Sequence, residues 1–544
     1  MDQQLSTATH EPAESAARAE ALRQARDAYR FRHSPDLPPW IRDLPRWQRL
    51  PTLYNIAIHV RLYLALANRM YDKIYRRLSR HNGTLRGFDD YYHIVPKPPA
   101  PARNWQDDAW FGWLQLAGVN PHQIRLCKKI PEGFHVTDAD VATVLPKGRS
   151  LADEMAADRI FYGDYGVLAG LHRRPGRIMT EPFCLFHRNA ENMLTPIAIQ
   201  ARRDLAREQT PVFTPADSKW DWLTAKAFVQ NASNHTHQGI FHYFGCHLVT
   251  EVITVAFHRN VPPQSPLYAL LTPFLGKCLG INEIARKLLV SRDGIIDRSL
   301  SGGAKGVLEG CARAWSLYRW DEHTFHGDLV ARGVTAATLP VYAFRDDASL
   351  IWDAIHAYVR EIIDAHYRSD AAVAEDQEIA QWLAELRDAE GGAMKGLPDV
   401  TARAALIDFL TDIIFKAGPL HSAMNAGQLE AYGYVPHTPA GLYQDPPTRK
   451  GSSDETTFLR LLPDRETACK QIGPAWVLAR PTPVPITHFA ESHLAAMPAP
   501  HRAAALRLQE AMRGISRTVA ERNRGRFLPY EYMDPATMAY QVNL

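Results

Sequence analysis

Histidines gather in one stretch, NHTHQGIFHYFGCHLVTEV, which holds His235, His237, His242 and His247. The last three lie five residues apart. In an ideal α-helix a five-residue step turns the side chain by roughly 140°. His242 and His247 would then point to different sides. A π-type turn, with i→i+5 hydrogen bonds, aligns them, and such turns concentrate at functional sites. The spacing therefore predicts either a distorted helix or histidines with no shared job. A second stretch, PLHSAMNAGQ, sets His421 and Asn425 four residues apart, on one face of a regular helix. Two helices, each offering two such side chains, can enclose one ion. Neutral imidazoles suit a transition metal, and an Asn oxygen is a weak neutral donor. The chain carries 23 histidines, so chance clustering stays open on spacing alone. A His–Asn pair on a helix also serves as a cap or as surface detail.

The elements that must position these residues are mostly helical. Residues 11–32 are rich in Ala, Glu and Arg and read as a solvated helix or flexible lead-in. Proline-rich stretches at 35–51 and 96–101 are loops. Between them, LYNIAIHVRLYLALANRMYDKIYRRL has the periodicity of a long amphipathic helix. From 159 to 200 the texture changes to short β-like runs, RIFYGDY, EPFCLFHR and TPIAIQA. Helical patterns then fill 219–259, 264–291, 306–319, 348–366, 375–388, 400–415 and 501–523. No repeat of 20–50 residues is evident. The expected architecture is mainly α: a lead-in over 1–45, then one large helical domain over 46–544 with a small β element. The metal would sit between two central helices.

Composition narrows the function classes. The 544 residues are 46% hydrophobic and 22% charged, ordinary for a globular chain. Lys and Arg number 62 against 59 Asp and Glu, a net charge of +3. No basic field is available for nucleic acid. The six cysteines are scattered, with no CxxC pair, as free thiols in a reducing compartment would be. The first residues lack an apolar signal core, and no run reaches the roughly 18 apolar residues of a membrane span. These features predict a cytoplasmic protein.

Several motifs, in order, resemble the lipoxygenase family. They are WFGWLQLAGVNP, DRIFYGDYGVLAGL, TPIAIQA, AKAFVQNASNHTHQ, the His-x4-His-x4-His run, SPLYALLTPF, INEIARKLLVSRDGIID, and HSAMNAGQ with its following GYVP. The resemblance covers about residues 105–440 well and the C-terminus more loosely. It is closest to the bacterial type that has no N-terminal β-sandwich. It implies a non-heme metal held by His242, His247, His421, Asn425 and the carboxylate of the last residue, Leu544. Iron (Fe2+/Fe3+) is the implied metal, and manganese suits the same donors. His237 matches a packed histidine outside the ligand set. Gln238 and Gln428 match glutamines that bridge the ligands to the substrate pocket. Ala285 matches the position where Ala favours S and Gly favours R oxygenation. Leu289, Ile281, Ser299 and Leu300 match pocket residues, Leu289 as the clamp on the pentadiene.

The chain also departs from the family pattern. It ends in Leu where most relatives end in Ile. Ser265 and Phe274 replace two family histidines. Thr438 stands where an Arg can hold the substrate carboxylate, and Lys287 and Arg298 are the substitutes at hand. The implied reaction is dioxygenation of a polyunsaturated fatty acid, of linoleate or arachidonate class, by metal-hydroxide hydrogen abstraction followed by O2 addition. A long apolar channel is expected to hold the acyl chain. A monomer is expected, and peripheral membrane contact stays open. Two rival readings remain. One is a hydroperoxide isomerase on the same site, the other a metal-free lipid-binding helical protein.

Overall fold

The computed structural model describes residues 12–203, 205–479, 482 and 484–543. The helix predicted over 219–259 runs from Lys219 to Asn260 without a break. It is α-helical over Lys219–His235, π-helical over Thr236–Leu248 and α-helical again over Val249–Asn260. Ser218 starts it, its hydroxyl accepting from the Asp221 amide. Val261 turns extended ahead of Pro262, where a helix has to stop. Its best 18-residue window has a mean hydropathy of 1.4, enough for a membrane span by length and composition, which corrects the expectation that no segment qualifies. The helix is nonetheless enclosed, with 83% of that window buried inside the protein. A helix apolar on all sides is the mark of a core helix as well as of a span.

A second central helix crosses it. It runs α over Arg403–Phe415, π over Lys416–Leu420 and α over His421–Asn425. Pro419 lies inside the π turn. It brings no N–H to the i→i−4 ladder, so the wider turn forms where a regular one cannot. The two π segments pack on each other. Around them stand Gly303–Leu317, Ala343–His366 and Ala499–Gly525, which replace predicted helices with shifted ends. The pattern over 264–291 resolves into two helices, Pro266–Leu275 and Cys278–Leu288. Pro273 weakens the last turn of the first, and the chain bends two residues later.

The β element is an antiparallel sheet of β3 (Ile124–Leu126), β4 (Ile160–Asp164), β5 (Phe183–Arg188), β6 (Leu194–Gln200) and β7 (Val212–Phe213), in that spatial order. A bulge interrupts β5 against β6 between Leu185 and Phe186. The first two strands, β1 (Phe31–Arg32) and β2 (Trp40–Ile41), pair apart from it. The lead-in forms a helix over Pro12–Ala28 that docks on the body, with Arg18 Nε donating to Glu378 at 3.0 Å.

The amphipathic helix Thr52–Tyr75 is turned in an unusual way. Its inward face is partly polar. Asn68 Oδ1 accepts from the backbone amides of His93, Ile94 and Val95, and Asp72 is clasped by Arg465 at 2.6 and 2.9 Å. Its outward face is apolar: Leu53 is 80% exposed, Tyr63 67%, Met70 62% and Ile74 69%. Asp72 and Arg465 are both nearly buried, so removing one partner leaves the other charge uncompensated. Asp72→Ala is therefore expected to lower the unfolding free energy by about 3 kcal/mol. The check is the shift of the urea midpoint, with earlier tryptic cleavage at Arg76 and Arg77.

Candidate metal centre

His242 and His247 leave the π segment of the first central helix on one side. His421 faces them from the second helix, just past its π turn. Their Nε2 atoms form a triangle with sides of 3.2 Å (His242–His421), 3.3 Å (His242–His247) and 3.1 Å (His247–His421). This is the one group of three or more His, Cys, Asp or Glu side chains suited to an ion among the described residues. All three rings are buried. Burial keeps them neutral: His247 is pulled down to about 4, and His242 and His421 lie well below their usual range. Neutral imidazole is the metal-binding form.

The donor set passes a test of fit. Each Nε2 lies nearer the triangle's centre than a metal–imidazole bond of roughly 2.1 Å, so one ion reaches all three. His247 Nδ1 donates to Asn282 Oδ1 at 2.8 Å, which fixes the tautomer and leaves the Nε2 lone pair for the ion. Asn282 Nδ2 in turn donates to Glu251 at 2.7 Å, and the buried Glu251 also accepts from Arg286 and the Ile41 amide. His237, stacked on His242, is fully buried and bonds the Met424 carbonyl through Nε2. Three lone pairs aimed at one point, without enough protons among them, match a cation and not a hydrogen-bonded cluster.

Asn425 lies one turn beyond His421. Its Oδ1 accepts from Gln428 Nε2 at 2.9 Å and its Nδ2 donates to the Leu478 carbonyl. Gln238 Nε2 then donates to Gln428 Oε1 at 2.6 Å. The two glutamines flagged in the sequence thus form one line with Asn425. They also line a cavity with Leu289, Ser299 and Leu300. That space measures about 40 Å3, room for a water and smaller than the acyl-chain channel expected from the sequence. Ala285 and Ile281 are buried beside it without lining it. Thr438 is buried, Lys287 pairs with Glu283 at 2.6 Å, and Arg298 is exposed; none of them lines the cavity.

The chain's end is drawn to the same place. Ser422, next to His421, exchanges hydrogen bonds with both backbone groups of Ala539. A Cβ on Gly418 would come within 2.8 Å of the Tyr540 backbone, so only glycine admits the tail there. Asn543 accepts from the Tyr54 hydroxyl at 2.6 Å. Leu544 lies outside the described residues. Sequence reading missed Asn282 and the role of Glu251. Their only signal is a buried amide and acid on neighbouring helical turns.

Fold and centre together define a mainly helical protein with a buried three-imidazole metal centre between two π-distorted helices. The lipoxygenase family profile matches residues 95–542, and the chain belongs to the lipoxygenase family. It is 35% identical over 451 residues to polyunsaturated fatty acid lipoxygenase ALOX8 of Mus musculus, covering 81% of this chain and 66% of that protein. It is 32% identical over 566 residues to polyunsaturated fatty acid lipoxygenase ALOX15B of Homo sapiens, covering 99% and 82%. It is also 33% identical over 488 residues to hydroperoxide isomerase ALOXE3 of Homo sapiens, covering 86% and 67%. Among solved structures, a lipoxygenase in complex with arachidonate, solved anaerobically, superposes with a TM-score of 0.92 at 27% identity, covering 99% of this chain and 82% of that one.

Two outcomes are expected. His421→Ala brings bound metal from about one ion per chain to near none by elemental mass spectrometry, whereas Asn282→Ala weakens metal affinity by roughly 10–100-fold. The second concerns pH. Burial pulls His235 and His258 down to about 4 and His237 and His437 to about 3. Unfolded histidines take up protons near 6.5, so the unfolded chain binds more protons between pH 6.5 and 4. Stability is therefore present above pH 6.5 and falls as pH drops through that window. Urea midpoints at pH 7, 6 and 5 read it directly.

Proposed function

We propose that the protein adds O2 to the 1,4-pentadiene of a polyunsaturated fatty acid and releases the conjugated hydroperoxide. The observation that supports this most is the hydrogen-bond line Asn425–Gln428–Gln238. It runs from Asn425, one turn beyond His421, to an apolar space walled by Leu289, Ile296 and Leu300. The polyunsaturated fatty acid lipoxygenases among its relatives and the lipoxygenase solved in complex with arachidonate support the substrate class.

In this reading His242, His247 and His421 hold the ion, joined by Asn425 and the Leu544 carboxylate. A bound iron, or manganese, supplies there the one-electron chemistry needed at a bis-allylic C–H bond. The chain's own residues do the rest. Asn282 and Glu251 fix His247 in one tautomer. Gln428 holds the Asn425 oxygen, and Gln238 carries that restraint to the pocket wall. Leu289 and Leu300 keep water from the radical, while Ala285 stands behind the cavity wall.

The acyl chain needs more room than 40 Å3, and one wall of that space is the helix Arg465–Leu478, which supplies Gln471, Pro474, Ala475 and Leu478. The helix Thr52–Tyr75 lies across its back, where a Cβ on Gly473 would sit 3.0 Å from the Ala65 methyl. Its outward apolar face is bordered by Arg69, Lys73, Arg76, Arg77 and Arg80. A basic-edged apolar face of this kind suits an anionic bilayer, from which the substrate would enter, with the protein acting as a monomer.

An oxygen electrode and absorbance at 234 nm, with linoleate and arachidonate, test the reaction. One O2 consumed per conjugated diene is expected. Turnover of a preformed hydroperoxide, with no O2 uptake on the free acids, sinks the dioxygenase and leaves the isomerase. For the surface helix, Met70→Glu with Ile74→Glu is expected to cut flotation with anionic vesicles at least tenfold. Unchanged flotation, or a dimer in sedimentation that the same pair dissolves, removes the bilayer reading.

A further inference from the structure

A cavity of about 260 Å3 lies between the two central helices, the end of Gly303–Leu317 and the edge of the sheet. It shares no wall residue with the small space beside Gln238, and none of the three histidines lines it. Its size is near the lower end, about 300 Å3, of small-molecule pockets. The walls are largely apolar, with Phe241, Phe244, Leu420 and Met424 among them.

Charge is what distinguishes it. Lys416, on the wall, is 5% exposed. Among the described residues its ammonium forms no ion pair; its hydrogen bond is a long one, 3.4 Å, to the His323 carbonyl. It also lies 5.7 Å from the centre of the Trp320 ring. The two wall carboxylates are engaged elsewhere. Asp328 is bound by Arg332 and His122, and Asp164 by Arg203. The Tyr318 hydroxyl, buried at the same wall, has no hydrogen-bond partner. Arg125 stands exposed at the rim. Asp412, one turn back and nearly buried, is the remaining acid acting on the ammonium, but its carboxylate already accepts from the Trp352 indole and the Phe325 amide, so the ammonium has no direct ionic partner and its cavity side suits an anion. Burial does lower the affinity of Lys416 for its proton.

We propose that this cavity is a second ligand site, taking the carboxylate of a short- or medium-chain amphiphile against Lys416 and its apolar tail against Phe241, Phe244 and Leu420. The Tyr318 hydroxyl is the neutral donor within reach of the same head group. The site stands independently of the dioxygenase reading. It is coupled to the metal centre by construction. Ile240, Phe241, Phe244 and Gly245 belong to the π segment that carries His242 and His247, and Lys416 and Leu420 to the π turn that leads into His421. An occupant touches both segments at once and biases the spacing of the imidazoles.

Octanoate is the probe, because it has no pentadiene to oxidise. Calorimetric titration into the full metal-loaded chain is expected to show a binding component that methyl octanoate lacks. Lys416→Met is expected to weaken that component at least tenfold, and Ala314→Trp, which fills the cavity from its rim, to remove it. Tyr318→Phe is expected to weaken it less. If Lys416→Met does not fold, Ala314→Trp alone carries the test. Equal octanoate binding by the wild type and the folded variants, binding of the methyl ester as tight as that of the acid, or no octanoate binding at all overturns the proposal.

Discussion

Three imidazole nitrogens, each within 3.3 Å of the other two, dominate the interior of this protein. Left to themselves they repel, since neutral rings cannot supply a proton to every contact. Holding them there takes rigid support from two directions. Both central helices give up regular geometry to provide it, one over thirteen residues and the other over five. A π turn loses some hydrogen-bond quality, so its survival depends on the surrounding packing. That packing is dense: Val249, Val252, Ile253, Ala256 and Phe257 on the first helix are fully buried, as are Leu410 and Ile414 on the second.

The polar interior follows from the same constraint. Each ring that points Nε2 inward has to dispose of Nδ1. His247 does so through Asn282 and Glu251, whose charge is balanced by Arg286. On the other side, Asn425, Gln428 and Gln238 consume one another's donors and acceptors until the line reaches the substrate-side cavity. These chains account for the amides and acids next to His247 and Asn425, whereas His421 Nδ1 is buried without a hydrogen-bond partner.

Much of this was legible in the residues. The five-residue histidine spacing cannot work in a regular helix, so the distortion was readable at His242 and His247 themselves. At His421 the four-residue spacing to Asn425 read as a regular helix, and the π turn just before it, around Pro419, came only with the structure. The strands 160–164, 183–188 and 194–200 stood out because their runs have strand length and are bounded by turn residues. Other features were not legible. Asn282 looks like any helical asparagine until the two helices meet. The amphipathic pattern of residues 52–75 gives no hint of which face is inward, because Asn68 and Asp72 find buried partners only in the tertiary structure. The close approach of the helices at Gly473 and Ala65 was likewise invisible until both were folded. Residues matched through the family pattern, such as Ser299 and Leu300, took their meaning from that likeness and not from composition.

The approach of the tail to Gly418 and Ser422 also has a temporal side. Residues 539–543 leave the ribosome after every other part of the central cluster has been made. Until they arrive, the groove beside His421 lacks its last wall, and the π turn at Pro419 has one neighbour fewer to hold it. That wall is therefore completed only once the segment around Tyr540 has docked on Gly418 and Ser422. The same order of events makes the packing of residues 539–543 against the second central helix a late step in closing the interior around His421.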